Sequence, residues 1–153
     1  MKFKLITTNA PEYSAERLLR WEVLAKPHGM PPGSEAFAEE MQSMHLIAME
    51  GKNLVGCICF HQEGANSGRI FEMAVSEEYQ GQGFGRKLLH HLEELLLEKG
   101  ISDVYLFVRP ENQEFYTLMG YALEDEIISQ MGLKSRRMKK TLHVQPGAST
   151  HVS

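Results

Sequence analysis

Within the 153 residues, one stretch constrains the fold more than any other: Gln80-Gly81-Gln82-Gly83-Phe84-Gly85, where the hydrophobic period changes. Before it, Arg69 to Val75 reads as a strand. After it, Phe84, Leu88, Leu92, Leu95 and Leu96 recur at helical spacing, with Lys87, His90, His91, Glu94 and Glu98 on the wet side. A strand that passes into a helix through glycines leaves the turn's amides and the helix's first N–H groups free to converge on an anion. Glycine at 83 and 85 lets phosphate oxygens reach the main chain with no Cβ in the way. The first helical turn carries Arg86 and Lys87, and no acid lies between Gln80 and His91. That reverses the preference of a free helix, worth about 0.3–1 kcal/mol per side chain. A docked pyrophosphate accounts for the reversal, although any tight turn can use glycines and Lys87 also suits the wet face. Spacing excludes two other phosphate sites: no Gly-Lys-Ser/Thr follows the turn, and several strands precede it, with Asp103 before the next strand instead of closing it.

Phe3 to Thr7 reads as a first strand and Ser14 to Leu24 as a helix capped by Ser14. Lys26 to Gly33 holds three of six prolines and reads as a loop. Ser34, with Glu35, Glu39 and Glu40, predicts another short helix. Met44 to Met49 and Asn53 to Phe60 form an expected hairpin around Glu50-Gly51-Lys52-Asn53, and Arg69 to Val75 extends it into a meander. Gly100 stops the long helix. Val104 to Val108 is apolar throughout, which predicts a strand covered on both faces and paired in parallel through a crossover helix. Glu111 to Leu118 reads as a short helix, and Tyr121 to Ile128 and Leu133 to Leu142 as closing strands. Arg136, Arg137, Lys139 and Lys140 read mainly as a solvated face.

A chain of this length can bury roughly two thirds of its unfolded surface in one core. With 42% hydrophobic and 24% charged residues, it has the balance of a soluble domain, and no apolar run reaches the roughly 18 residues that cross a bilayer. No membrane partner is expected. The net charge of −4 argues against nucleic acid. Cys57 and Cys59, two apart in an apolar strand, point the same way and fit reduced, buried thiols better than a disulfide or metal pair. No secretory segment follows the N-terminus, so a cytoplasmic location is expected. His28, His45, His61, His90 and His91 are unordered in spacing, and no metal site is expected.

The central residues resemble the GNAT superfamily of N-acetyltransferases. Met73-Ala74-Val75, four spacers and Gln80-Gly81-Gln82-Gly83-Phe84-Gly85 match its cofactor motif, and Asn112, Phe115, Tyr116, Gly120 and Tyr121 match its Asn-x-x-Phe-Tyr-x-x-x-Gly-Tyr element. Glu77 stands where many members have proline. The resemblance implies an α/β (α+β) fold with a mixed, mostly antiparallel sheet of six to seven strands, about four helices and a splayed parallel strand pair. Residues 1–143 would form one acetyltransferase domain and 144–153 a flexible tail. It implies acetyl-CoA as co-substrate, with main-chain groups of Met73, Ala74 and Val75 on the pantetheine arm. Gln80, Gly81, Gln82, Gly83, Phe84, Gly85 and Arg86 would hold the pyrophosphate, with Asn112 and Phe115 beside the arm; Asn112 also suits a helix cap.

The reaction implied is direct acetyl transfer to a primary amine of a small molecule or peptide. Tyr116 would give a proton to the departing thiolate, or else be a packed core tyrosine. Glu72 is the candidate base, its alternative being a solvated outer position, with His45 and His28 behind it. Residues from Tyr13 to Met41, including Trp21, His28, Met30, Glu35, Glu39 and Glu40, would cover the acceptor pocket. A homodimer is compatible with these features. The competing class is a non-catalytic acyl-CoA sensor of the same fold, which could dispense with Tyr116.

Overall fold

A computed structural model describes residues 1–130 and 132–144; of the tail expected at 144–153, all but Val144 lies outside the described residues. Seven strands, β1 (Lys2–Ile6), β2 (Met44–Glu50), β3 (Asn53–Gln62), β4 (Ser67–Val75), β5 (Asp103–Val108), β6 (Ala122–Gln130) and β7 (Leu133–Thr141), form one sheet in the order β1-β2-β3-β4-β5-β7-β6. The first four make the expected antiparallel meander. The helices are α1 (Tyr13–Arg20), continued by a π turn over Trp21–Ala25, α2 (Phe84–Glu98) and α3 (Gln113–Leu118). No described helix is long and apolar enough to cross a membrane.

The sheet's two faces explain the burial. α2 lays Leu88, Leu89, Leu92 and Leu96 on one side, against Leu46, Ile58, Phe60, Ile70 and Leu106. α1 covers the other side with Leu19, against Ile47, Cys57 and Ala74. Strand β3, covered twice, is therefore buried from Val55 to Phe60. Gly56 is required there, because a Cβ would stand 2.7 Å from Leu88 Cδ1 and 2.9 Å from the Ala74 carbonyl.

Four expectations are corrected. Ser14 does not cap α1: Glu12 occupies that position, with no side-chain cap bond. The acidic segment after Ser34 is irregular except for a 3-10 turn at Glu40–Gln42, because Glu35 and Glu40 turn inward to arginines instead of facing water along a helix. Strand β5 is fully buried on one face only, through Val104, Leu106 and Val108; Tyr105 and Phe107 lie half-buried on the other, beneath Arg137 and Arg69. The basic run in β7 is largely engaged: Arg137 pairs with Glu124, and Lys140 pairs with Glu93 and the Met119 carbonyl.

The parallel pairing of β4 with β5 spans only Ser67, Gly68 and Arg69 against Asp103, Val104 and Tyr105. Beyond Arg69 the strands part. The parting coincides with a bulge: Cys57 pairs with Ala74 and Cys59 with Phe71, so Ile58 faces both Glu72 and Met73. Glu72 takes the left-handed conformation, φ 53°, as no other described non-glycine residue does.

Candidate active site

Where β4 and β5 separate, their facing edges open a cleft lined by Arg69, Phe71, Glu72, Met73, Phe107, Val108, Arg109, Asn112 and Tyr116. Main-chain groups on the open edge of β4 have no strand partner there, which leaves them for an extended ligand to bond as a further strand would.

The glycine turn adjoins the cleft through Met73, whose Cε is 3.8 Å from where a Gly85 Cβ would be. Gly81 and Gly83 have φ of 77° and 85°, the left-handed region that L side chains rarely adopt, and α2 starts at Phe84. Among the described residues, the N–H groups from 81 to 86 find no acceptor in the chain, while that of Gln80 bonds to the Glu77 carbonyl and that of Lys87 to the Gly83 carbonyl. Six successive free amides at a helix N-terminus, with no acid in the first turn, form an anion cradle. Arg86 lies over it, its guanidinium 3.6 Å from the position of a Gly83 Cβ. The Gln80 side chain donates to the Val75 carbonyl at 2.9 Å, bracing the turn against the end of β4, and that of Gln82 donates to the Glu78 carbonyl at 3.1 Å, in the 3-10 turn that follows the strand. Phe84 packs edge-on to Tyr79. Phe115 lies under Gly85, 3.7 Å from where its Cβ would be. These residues fit a pyrophosphate on the turn and a pantetheine arm along Met73, Ala74 and Val75.

Asn112 occupies the N-cap position of α3, yet its side chain makes no cap bond and instead lines the cleft. The Tyr116 ring stands edge-on to Phe115 and Tyr121. Its hydroxyl has no hydrogen bond among the described residues, whereas a packed core tyrosine usually finds one. Burial pushes this phenol well above its ordinary value, so it stays protonated.

The bulge turns Glu72 into the cleft. One of its carboxylate oxygens is buried and has no hydrogen-bond donor; Arg20 Nε, also without a bond, stands 3.8 Å away. Burial pushes the Glu72 carboxyl up to about 7, Arg20 opposes the rise and Glu40 adds to it.

Beneath Glu72 lies a buried ionic network that the sequence did not announce beyond the i,i+4 spacing of Glu16 and Arg20. Arg20 donates to Glu16 at 2.8 Å, to Glu40 at 2.6 Å and to the Glu35 carbonyl at 2.7 Å, with Phe37 against its guanidinium. His45 is 2.8 Å from Glu16 through Nδ1 and 2.8 Å from the Glu40 carbonyl through Nε2. Both partners accept, so the ring donates from both nitrogens and is cationic. Burial would pull His45 down, but the bonds to Glu16 and Glu40 outweigh it and hold the ring above its ordinary value. His45 is thus a structural cation, not a free base. Glu16, His45 and Cys59 bring one ligand atom each within 4.8 Å of one another, a grouping that the histidine spacings did not show. Glu16 there already accepts from the Arg20 guanidinium and from His45. Cys57 and Cys59 are buried and free, as expected, and burial pushes both thiols up.

Of the residues expected over the acceptor pocket, Glu35 and Glu40 are bound to Arg17 and Arg20, Trp21 donates to the Met30 carbonyl at 3.0 Å, and His28 is 2.7 Å from Arg109. Arg69 and Arg109, which line the cleft, were missed; single arginines flanking strands carry no distinctive spacing.

The acetyltransferase (GNAT) family model matches residues 12–121, and the chain belongs to that family. It is 32% identical over 80 residues to GCN5-related N-acetyltransferase 2, chloroplastic, of Arabidopsis thaliana, which is 52% of this chain and 31% of that protein. The chain spans about a third of the length of the curated relatives it matches. An acyl-CoA N-acyltransferase from Pseudomonas aeruginosa superposes with a TM-score of 0.78 at 19% identity, over 92% of this chain and 99% of that one. An aminoglycoside 6'-N-acetyltransferase complexed with coenzyme A gives 0.76 at 19% identity, over 95% and 99%. At such identities the likeness is one of fold.

Proposed function

We propose that the protein is an acetyl-CoA-dependent N-acetyltransferase that acetylates a primary amine by direct transfer. The observation that carries this reading is that Glu72 and Tyr116 line one cleft, which adjoins the free amides of 81–86 through Met73. An ammonium acceptor in the cleft can donate to the Glu72 carboxylate, and a thioester-bearing ligand suits a cleft between parted strands. Family membership and the coenzyme A complex of a fold neighbour support the choice of cofactor. A non-catalytic sensor would have no use for a carboxylate held in a strained backbone conformation and facing the cleft, which costs free energy to keep.

Bound acetyl-CoA supplies an acetyl group on a thioester. Glu72 takes one proton from the ammonium, freeing the nitrogen lone pair. The nitrogen bonds to the acetyl carbon as the carbon–sulfur bond breaks. Tyr116 gives its proton to the departing sulfur and recovers one from the acylated nitrogen, so the net release is the single proton held by Glu72. Two free, buried thiols support a reducing, cytoplasmic setting. The reading is tested by a screen of amines, amino acids, polyamines and peptides with acetyl-CoA, following free thiol. Acceptor-dependent thiol release is expected; release that no amine accelerates rejects it.

A further inference from the structure

The cleft's charges point to what the acceptor carries besides its amine. Two of the three acids expected over the acceptor pocket are paired already: Glu35 lies on Arg17, Glu40 on Arg20. Two cations in the cleft have no such partner. Arg69 is held between the rings of Phe71 and Phe107, 5.6 and 5.0 Å from their centroids, and its buried Nε has no hydrogen-bond acceptor. Among the described residues Arg109 bonds to His28 Nε2 at 2.7 Å and to the Leu24 carbonyl at 3.4 Å. Neither pairs with a described carboxylate within ion-pair distance, although acids outnumber Lys and Arg in the chain by 20 to 16. The cleft thus offers one anion, Glu72, and two guanidinium groups with unused donors.

We infer that the acceptor is a small zwitterion, an amino acid or a close analogue, whose ammonium meets Glu72 and whose carboxylate is held by Arg69 and Arg109. The inference rests on the transfer reading above and names its substrate class. A guanidinium fixed between two aromatic planes presents its N–H edge in one direction, which suits the two parallel bonds a carboxylate can accept. Polyamines, aminoglycosides and lysine-rich tails bring further cations against these two, and like charges in a partly desolvated site disfavour them.

The experiment uses the full chain with saturating acetyl-CoA and compares amino acids with their amides, reading free thiol. The amide's amine is less basic and more of it is neutral at pH 7, so intrinsic reactivity favours the amide. The inference expects the reverse, kcat/KM for the acid exceeding that for its amide by about ten- to a hundred-fold, as for a site built to bond a group that the analogue lacks. In Arg109→Gln the acid-to-amide ratio collapses toward one, and Arg109→Lys restores part of it. If Arg109 only anchors the loop at His28, both acceptors fall alike and the ratio stands, which overturns its role. Equal use of acids and amides by the unmodified protein, or a preference for polyamines, overturns the inference while leaving acetyl transfer intact. Acetyl-CoA binding with no transfer to any amine overturns both.

Discussion

Glu72 is the base of the proposed transfer, and its backbone shows how it came to face the cleft. A left-handed conformation at a non-glycine residue costs on the order of 1–3 kcal/mol and persists only where the surroundings impose it; here the bulge opposite Ile58 does so. With its carboxyl pushed up to about 7 by burial, Glu72 is half ionised near neutrality. The low-pH limb of the rate profile is therefore expected near pH 7. Glu72→Gln abolishes that limb and lowers transfer to a strongly basic amine by about a hundred-fold, with a much smaller loss for an amine already neutral; equal losses would make Glu72 a positioning group. Linkage fixes a stability effect as well. The folded-state value lies above the ordinary 4.5, so the parent loses stability as pH rises from about 4.5 to about 7, and the glutamine variant does not. Melting temperatures across that window should show the variant gaining on the parent as pH rises. Tyr116→Phe removes only a hydroxyl with no described partner, so cofactor affinity should hold while turnover drops about ten- to a thousand-fold, the range for one general acid. Unchanged turnover would return Tyr116 to packing.

At the scale of elements, legibility followed whether a signal was local. The hairpin of β2 and β3, the glycine turn and α2 rest on periodicity and on glycine, and the structure has them within one or two residues. The segment after Ser34 misled because its acids satisfy helix-start rules, whereas their partners, Arg17 and Arg20, lie some 18 to 20 residues back. The bulge at Glu72 was invisible for a related reason: glutamate has no preference for positive φ, and only the register with β3 forces it. Tertiary pairing overrode the local rule in both cases. The glycine turn supplies the element's own test. Valine at 83 adds a branched Cβ at φ 85° and pushes toward Arg86, closing the space over the free amides. Acetyl-CoA should raise the melting temperature of the parent and not that of Gly83→Val, while the variant keeps the parent's far-ultraviolet dichroism. Equal stabilisation of the two would place the pyrophosphate elsewhere.

Across the whole molecule, one buried side chain joins the parts that build the site. Arg20 sits on α1, holds Glu40 and the Glu35 carbonyl in the irregular segment, reaches Glu72 on β4, and through Glu16 orders His45 on β2. Arg20→Met keeps most of the side chain's length and removes the charge, stranding Glu16 and Glu40 in a largely dry interior. Removing one partner of a buried ion pair costs roughly 3–5 kcal/mol. The cost must depend on pH, with a definite sign. Burial would raise Glu40, but the Arg20 bond outweighs it and holds the carboxyl below its ordinary value, so in the parent this pair contributes stability above that value and loses it as pH falls. The variant has no such contribution, and its Glu40 can escape the penalty by binding a proton. The gap in melting temperature between parent and Arg20→Met should therefore be widest in mildly alkaline buffer and narrow as pH falls. The same loss removes the cation that opposes the rise of Glu72, so the low-pH limb of the variant's rate profile should move to higher pH. A gap that ignores pH, with the limb unmoved, would mean that Arg20 serves only as packing and that Glu72 is tuned by burial alone.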